Sequence, residues 1–285
     1  MYGKEGKDWL LILPNLLNKA SLKWKSNDIT LYANLKYNYV CSAYSQNYSC
    51  KVVLKIGCFP NQIEGEANSL KFYDGLACVK LLDFDRNLNS LLMEAIEPGY
   101  SLKKLFPSEE DMAIEHTVQI IRNLHKKPLN NISTFPTIEK ILEELINADY
   151  IIIPRKYIDK AKLLTSRLLS TQLNSVLLHG DLHHENILHK KDSWVAIDPK
   201  GFVGENAFEV GAYIRNPIPE LLEHHDHRAI INNRLSKFSN LLGINKERLK
   251  EWSFVQAILA TCSAGEDLNI AHYMIKIADI LDHLE

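Results

Sequence analysis

Residues 177–188, LLHGDLHHENIL, and residues 194–201, WVAIDPKG, decide how this chain is read. The first run holds three histidines, an aspartate, a glutamate and an asparagine within 12 positions. His179 and His183 stand four residues apart, so two imidazoles could share a helix face and hold zinc. Gly180 argues against a helix running through the segment, and no H-E-x-x-H pattern occurs. The competing reading takes Asp181 and Asn186 as the chemical groups and leaves the histidines as bracing.

Outward from this run the chain divides by texture. Residues 29–57 carry the β-prone runs ITLYANL, YVCSAYS and CKVVLKIG, with SQNYS suited to a hairpin turn, which predicts three antiparallel strands. Residues 62–74 predict a helix closed by Gly75, and VKLLDFD and SLLMEAI predict two more strands joined by RNLN. An N-terminal helix over 8–24 would turn Trp9, Leu10, Leu13, Leu16, Leu17 and Leu22 inward. Pro98-Gly99 ends the β-rich region. After it, Ile114, Val118, Ile121 and Leu124 keep helical spacing, in a helix that Ser108 can cap with Asp111 as its third residue. Further helices fit 137–149, 155–172, 206–215, 226–242, 246–261 and 268–284, and strand-like runs at 176–179 and 194–197 bracket the opening motif. The expected class is α+β, a protein-kinase-like fold of two lobes. The small N-lobe, residues 1–97, would carry a five-stranded antiparallel sheet plus helices, and residues 98–285 a larger, mainly helical C-lobe. A layout alone does not name a function.

Composition works by exclusion. The 285 residues carry a formal charge of −2, with 46% hydrophobic and 24% charged residues. No basic excess calls for nucleic acid, and no run of 18 apolar residues calls for a membrane. Cys41, Cys50, Cys58, Cys78 and Cys262 include no C-x-x-C pair, so reduced thiols in a cytoplasmic protein are expected. The start, MYGKEGKDWLLILPNLLNKA, has a short apolar run broken by Pro14 and lacks the cleavage site of a signal peptide.

Phosphoryl transfer asks few groups of a protein. A carboxylate takes or orients the nucleophile's proton, oxygen ligands hold Mg²⁺, and a fixed cation, itself held by an acid, meets the α- and β-phosphates. The chain offers these in order: Lys55 ending a strand, Glu66 in the next helix, His179, Asp181 and Asn186 at the spacing H-x-D-x-x-x-x-N, and Asp198 after the apolar WVAI.

On these residues the chain resembles the aminoglycoside phosphotransferase family, and within it the branch that phosphorylates streptomycin and hydroxyurea. HGDLHHENIL and IDPKGFVGENAFEVGAYIRNP carry the likeness, with VVLKI, EGEANSLKFYDG, LMEAIEPGYSL and QAILATCSAGEDLN, from about residue 50 to the end. The resemblance implies ATP, or GTP, with Mg²⁺ as cofactors and a small, cationic, streptomycin-like acceptor. It implies Asp181 as catalytic base, Asn186 and Asp198 as Mg²⁺ ligands, Lys55 on the phosphates with Glu66 as its partner, and the backbone of Glu94 and Ile96 on the adenine. Glu66 is preferred to Glu64 because the family's helix reads E-x-x-x-L, matched by Glu66 and Leu70. Glu266 and Asp267 are candidates for the acceptor's positive groups. Two departures stand out. ANLKYNYVCS, between the first two strands, has no glycine, and Cys262-Ser263 stand where this branch commonly has tryptophan.

Each residue also has a plainer use. Lys55 alone would read as a strand-end lysine reaching for water. Glu266 and Asp267 suit a helix start. Glu209 reads as an anchor for the segment after Asp198, His183 and His184 as exposed or near substrate, and HHDH at 224–227 as a solvated helix start capped by Asp226. Pro199 replaces the phenylalanine of D-F-G, Gly180 replaces the arginine of H-R-D, and no A-P-E follows, so a peptide substrate is disfavoured. A kinase for a choline-, sugar- or amino-acid-type alcohol, or an inactive nucleotide-binding module, are the alternatives.

Overall fold

The computed structural model describes residues 3–33, 38–129, 135–146, 152–265 and 267–284. The chain forms two compact units, Met1–Gly99 with Lys190–Ser193, and Tyr100–His189 with Trp194–Glu285.

In the first unit, α1 (Gly3–Trp24) precedes strands β1 (Ser26–Leu31), β2 (Asn38–Ser45) and β3 (Cys50–Gly57), then α2 (Pro60–Tyr73), β4 (Leu81–Asp85) and β5 (Ser90–Glu94). The five strands form one antiparallel sheet in the order β1-β2-β3-β5-β4. Side chains of a strand alternate between faces. Val52, Leu54 and Ile56 of β3 therefore join Cys41, Ala43 and Leu92 in a core closed by Ala20 and Trp24 of α1. Trp9, Leu13, Leu16 and Leu17 pack against that core, but Leu10 and Leu22, expected inside, are 57% and 71% exposed. The helical stripe is narrower than the leucine count suggested, because the sheet offers α1 a single face.

Strand β6 (Pro98–Ser101) runs across the boundary into the second unit, and a 3-10 turn, Leu102–Leu105, follows it. Next come α3 (Glu110–Leu124), α4 (Ile138–Ile146), α5 (Arg155–Ser170) and β7 (Ser175–Leu178). A 3-10 turn at His184–Asn186 leads into β8 (Ile187–Lys190), β9 (Ser193–Ala196) and β10 (Phe202–Glu205). After a further 3-10 turn, Asn206–Val210, the chain is helical: α6 (Gly211–Ile214), α7 (Glu220–Glu223), α8 (His227–Leu242), α9 (Lys246–Ser263) and α10 (Leu268–Asp282). Strands β10 and β7 pair antiparallel, and β8 lies between β6 and β9. The central helix α9 buries Leu249, Trp252, Phe254, Val255 and Ile258. Among the described residues no helix is long and apolar enough to cross a membrane.

Several expectations are corrected. Ser108 does not cap α3; the cap position falls on Glu109, without a side-chain hydrogen bond. The helix expected over 206–215 is a 3-10 turn followed by the one-turn α6. Strands β6, β8 and β10 went unforeseen, being four residues each, with proline or glycine in β6 and β10. Cys41, Cys50 and Cys58, by contrast, are free thiols as expected.

Candidate active site

The first unit supplies a buried ion pair. Lys55 occupies the face of β3 opposite the Val52–Leu54–Ile56 row, by the same alternation. Its Nζ lies 2.6 Å from Glu66 Oε2, and each side chain is only 7% exposed. Gly57 allows this approach of α2, because a Cβ there would overlap the Ile63 side chain. Glu64, the competing glutamate, turns outward to Arg86. A buried charge of this kind is tolerated only when paired.

At the end of β5, Glu94 is held on both sides. Its carboxylate oxygens each lie 2.8 Å from Lys190 Nζ, and Oε1 also accepts the Lys80 N–H at 3.0 Å. Its own N–H donates to Lys80 O at 3.0 Å, and the next amide, of Ala95, donates to Lys51 O at 3.4 Å. Ile96 follows, two residues beyond the strand end. Residues 34–37 of the glycine-free β1–β2 connection lie outside the described residues.

In the second unit one loop gathers the remaining groups. Leaving β7, the chain reaches His179, whose fully buried ring has Nε2 2.8 Å from Ile197 O and accepts the Asp181 N–H on Nδ1 at 3.3 Å. Donation from Nε2 and acceptance at Nδ1 define a neutral imidazole, and burial pushes its pKa down to match. His179 thereby ties the turn before Asp198 to the turn carrying Asp181. Gly180 has φ +81°, and a Cβ on it would press into the Phe202 ring at 2.6 Å. Glu209, fully buried, accepts the N–H groups of His179 at 2.7 Å and Gly180 at 2.9 Å, with His125 Nε2 at 3.2 Å. Burial works against its ionisation, but His125, His179 and the Gly180 amide outweigh it and hold the carboxyl below its usual pKa. Glu209 is an anchor, as expected, but of the loop before Asp181 rather than the segment after Asp198.

Asp181 is half-buried, and Oδ1 lies 3.6 Å from Arg215 Nη2 and 3.9 Å from His183 Nε2. Burial would raise its pKa; the charges of His183, Lys200 and Arg215 overcome this and lower it. The carboxylate is therefore ionised at neutral pH and able to accept a proton. Asn186 donates its amide Nδ2 to Asp181 O at 2.9 Å, so Oδ1 is the atom that could ligate a cation. Its backbone carbonyl accepts the Ile197 N–H at 2.9 Å, one residue before Asp198. Asp198 sits at φ +62°, a conformation that costs a non-glycine residue free energy and recurs at functional turns. Its carboxylate is 36% exposed, with Lys200 Nζ 3.8 Å away. An amide oxygen and a carboxylate brought to neighbouring turns by the Ile197–Asn186 hydrogen bond are hard oxygen donors of the kind that suits Mg²⁺.

The histidine-rich appearance of the motif is misleading. His184 is fully buried, a correction to its expected exposure: it stacks on Tyr213 with centroids 4.1 Å apart, 3.4 Å from Arg234 Nη2. Asp226 holds the cap position of α8 but its side chain makes no cap bond, and His224, His225 and Asp226 cluster at the surface. Asp267 caps α10 by accepting the amides of Asn269 at 3.1 Å and Ile270 at 3.2 Å, while Glu266 lies outside the described residues. The sequence reading assigned no role to Arg215, although it stands in the quoted IRNP; only its nearness to Asp181 in space marks it out.

A buried lysine–glutamate pair behind a five-stranded sheet, with an aspartate, an asparagine and a second aspartate on linked turns, defines the protein-kinase-like class of phosphotransferases. Residues 45–267 match the family described as aminoglycoside/hydroxyurea antibiotic resistance kinase, and the chain belongs to that family. It is a kinase, a phosphotransferase acting on hydroxyl groups. It is 22% identical over 264 residues to the streptomycin 6-kinase of Streptomyces glaucescens, covering 89% of this chain and 83% of that one. In fold it is similar to a thermostable mutant of the aminoglycoside phosphotransferase APH(4)-Ia, solved with ADP and hygromycin B. That likeness has a TM-score of 0.71 at 12% identity, over 93% of this chain and 97% of the other. Choline kinase LicA from Streptococcus pneumoniae shares the fold at a TM-score of 0.67 and 17% identity, over 94% and 99% of the two chains.

Proposed function

We propose that this kinase transfers the γ-phosphoryl group of ATP to a hydroxyl of a cationic, aminoglycoside-type acceptor resembling streptomycin. Residues 1–97 act as the nucleotide lobe and 98–285 as the catalytic and acceptor lobe. Lys55, fixed by Glu66, meets the α- and β-phosphates, and the backbone of Glu94 and Ile96 meets the adenine edge. Asn186 Oδ1 and the Asp198 carboxylate hold Mg²⁺, which when bound neutralises phosphate charge. Asp181 orients the acceptor hydroxyl and takes its proton as the oxygen attacks. The observation that supports the reading is the linkage of Asp181 to Asn186 by a direct hydrogen bond, and to Ile197, the neighbour of Asp198, through His179.

The acceptor class rests on the family and on the streptomycin kinase relative. Glu266 and Asp267 are assigned to the acceptor's positive groups on sequence grounds. Because Asp267 also caps α10, Asp267→Asn, which keeps the cap, separates acceptor binding from helix stability. The test is nucleotide consumption with Mg²⁺ against streptomycin, other aminoglycosides, hydroxyurea, choline and sugars. Turnover confined to cationic aminoglycosides is expected; preference for choline or a neutral sugar overturns the acceptor assignment. ATP binding should require Mg²⁺ or Mn²⁺, and stoichiometric zinc in protein purified without added metal would contradict the metal assignment.

A further inference from the structure

We propose that Arg215 is a second catalytic group: an arginine supplied by the chain itself that neutralises charge on the phosphoryl group as it passes to the oxygen held by Asp181. The inference rests on the reading of Asp181 as the proton acceptor. Its basis is a contrast between two arginines of the second unit. Arg234 is fully buried and spent: Nε bonds Glu110 at 2.6 Å, and Nη1 serves the carbonyls of Tyr213 and Ile214, each at 3.1 Å, and of Asn216. Arg215 is 13% exposed, and among the described residues its one hydrogen-bonded side-chain donor is Nη1, 3.1 Å from Gln256 Oε1. Its Nη2 stands 3.6 Å from Asp181 Oδ1, beyond good hydrogen-bond range. A guanidinium has five N–H donors, so Arg215 keeps several aimed at the space beside the base.

The scaffold holds that guanidinium in place from several sides. Arg234 clamps the carbonyls on both sides of Arg215, and Tyr273 donates its hydroxyl to Arg215 O at 3.1 Å. Gln256, which receives the guanidinium, donates to Phe208 O and lies where a Cβ on Gly211 would stand. Fixing a donor in advance removes reorganisation at the moment of reaction. His183, the other neighbour of Oδ1, carries an imidazole whose charge depends on pH, so Arg215 is the permanent cation there.

The step balances without further reactants. The acceptor oxygen, hydrogen-bonded to Asp181, forms a bond to the γ-phosphorus and gives its proton to the carboxylate. The bond from phosphorus to the bridging oxygen breaks, and its electron pair leaves on ADP. In a near-attack geometry phosphorus lies about 3–3.5 Å from the attacking oxygen. The phosphoryl oxygens, over which the transition-state charge spreads, thus come within reach of a guanidinium adjacent to the same carboxylate.

The test uses the full chain with MgCl2 and compares the affinity for ADP alone with that for ADP plus aluminium fluoride, a mimic of the phosphoryl group in flight. Wild type should bind ADP far more tightly with the fluoride. Arg215→Gln should lose most of that tightening, by about 10²-fold or more, with ADP affinity unchanged, in keeping with the 10³–10⁵ in rate typical of such arginines. Arg215→Lys should recover part of it, and Asp181→Asn should keep it while losing turnover. Three results overturn the proposal: no tightening in wild type, equal tightening in Arg215→Gln, or a rate defect in Arg215→Gln that is restored by raising the pH, which would mean that Arg215 only keeps Asp181 ionised. Melting curves and circular dichroism guard against misfolding, and should Arg215→Gln not fold, Gln256→Leu, which frees the guanidinium, must show the same loss. Fluoride tightening that depends on Arg215, with no phosphorylation of any aminoglycoside, would leave the proposal standing and sink the acceptor assignment instead.

Discussion

Asp181 and Lys55 solve opposite problems with the same device, a charge held by neighbours. Lys55 is buried beside the Glu66 carboxylate, whereas Asp181 is half-buried and surrounded by positive groups that stop short of hydrogen-bonding it. The first arrangement suits binding, the second proton acceptance. Asp181→Asn should therefore lower kcat by about 10²–10⁴ while the Kd for ATP stays near wild type, as general-base removal does. Loss of ATP binding with normal kcat at saturating nucleotide would reverse the assignment. Glu66→Ala should behave differently, because breaking a buried ion pair by removing one partner costs about 3–5 kcal/mol. Chemical denaturation should show that loss, and a stable Glu66→Ala protein with unchanged ATP affinity would contradict it. Asp181, Asn186, Asp198 and Lys55 were legible because chemistry demands those residue types at fixed spacing. Arg215 was not, since 34 residues separate it from Asp181 and no spacing rule links them.

At the scale of elements, the long, strongly periodic segments read correctly, as did the apolar β7 and β9, but the other four-residue strands did not. The five-stranded sheet, α2, α8, α9 and α10 follow from alternation, helical spacing and punctuation by glycine and proline. Strands β8 and β10 were illegible because four residues give too little periodicity, and because the partner of β10, β7, is distant in sequence. Capping shows the same limit: Ser108 has the right chemistry, but the chain enters α3 one residue later. Asp267 is the positive case, with one carboxylate oxygen receiving two amides of α10. Asp267→Ala should cost about 1 kcal/mol and Asp267→Asn close to nothing. Urea midpoints of the two variants would check this, and equal loss in both would mean that the carboxylate's charge, not its capping bond, supports the helix.

For the molecule as a whole, the cluster of Glu110, His184, Tyr213 and Arg234 joins α3, α6, α8 and the catalytic loop in one buried centre. Burial pushes the His184 ring down to about 3, so the unfolded chain binds its proton first and stability falls as pH drops below about 6.5. Burial opposes ionisation of Glu110, but His184 and Arg234 beside it hold the carboxyl at about 2, adding a further loss as pH falls through 4.5. Each proton steepens the dependence by about 1.4 kcal/mol per pH unit. His184→Asn should flatten the slope between pH 6 and 4.5 by about that amount, and an unchanged slope would show that the ring does not carry it. The account's central claim is phosphoryl transfer to a cationic aminoglycoside, and γ-labelled ATP incubated with streptomycin and Mg²⁺ tests it most directly. Label should appear on streptomycin with wild-type enzyme and almost vanish with Asp181→Asn. Label that never reaches streptomycin or another aminoglycoside but accumulates on choline or a neutral sugar would contradict it.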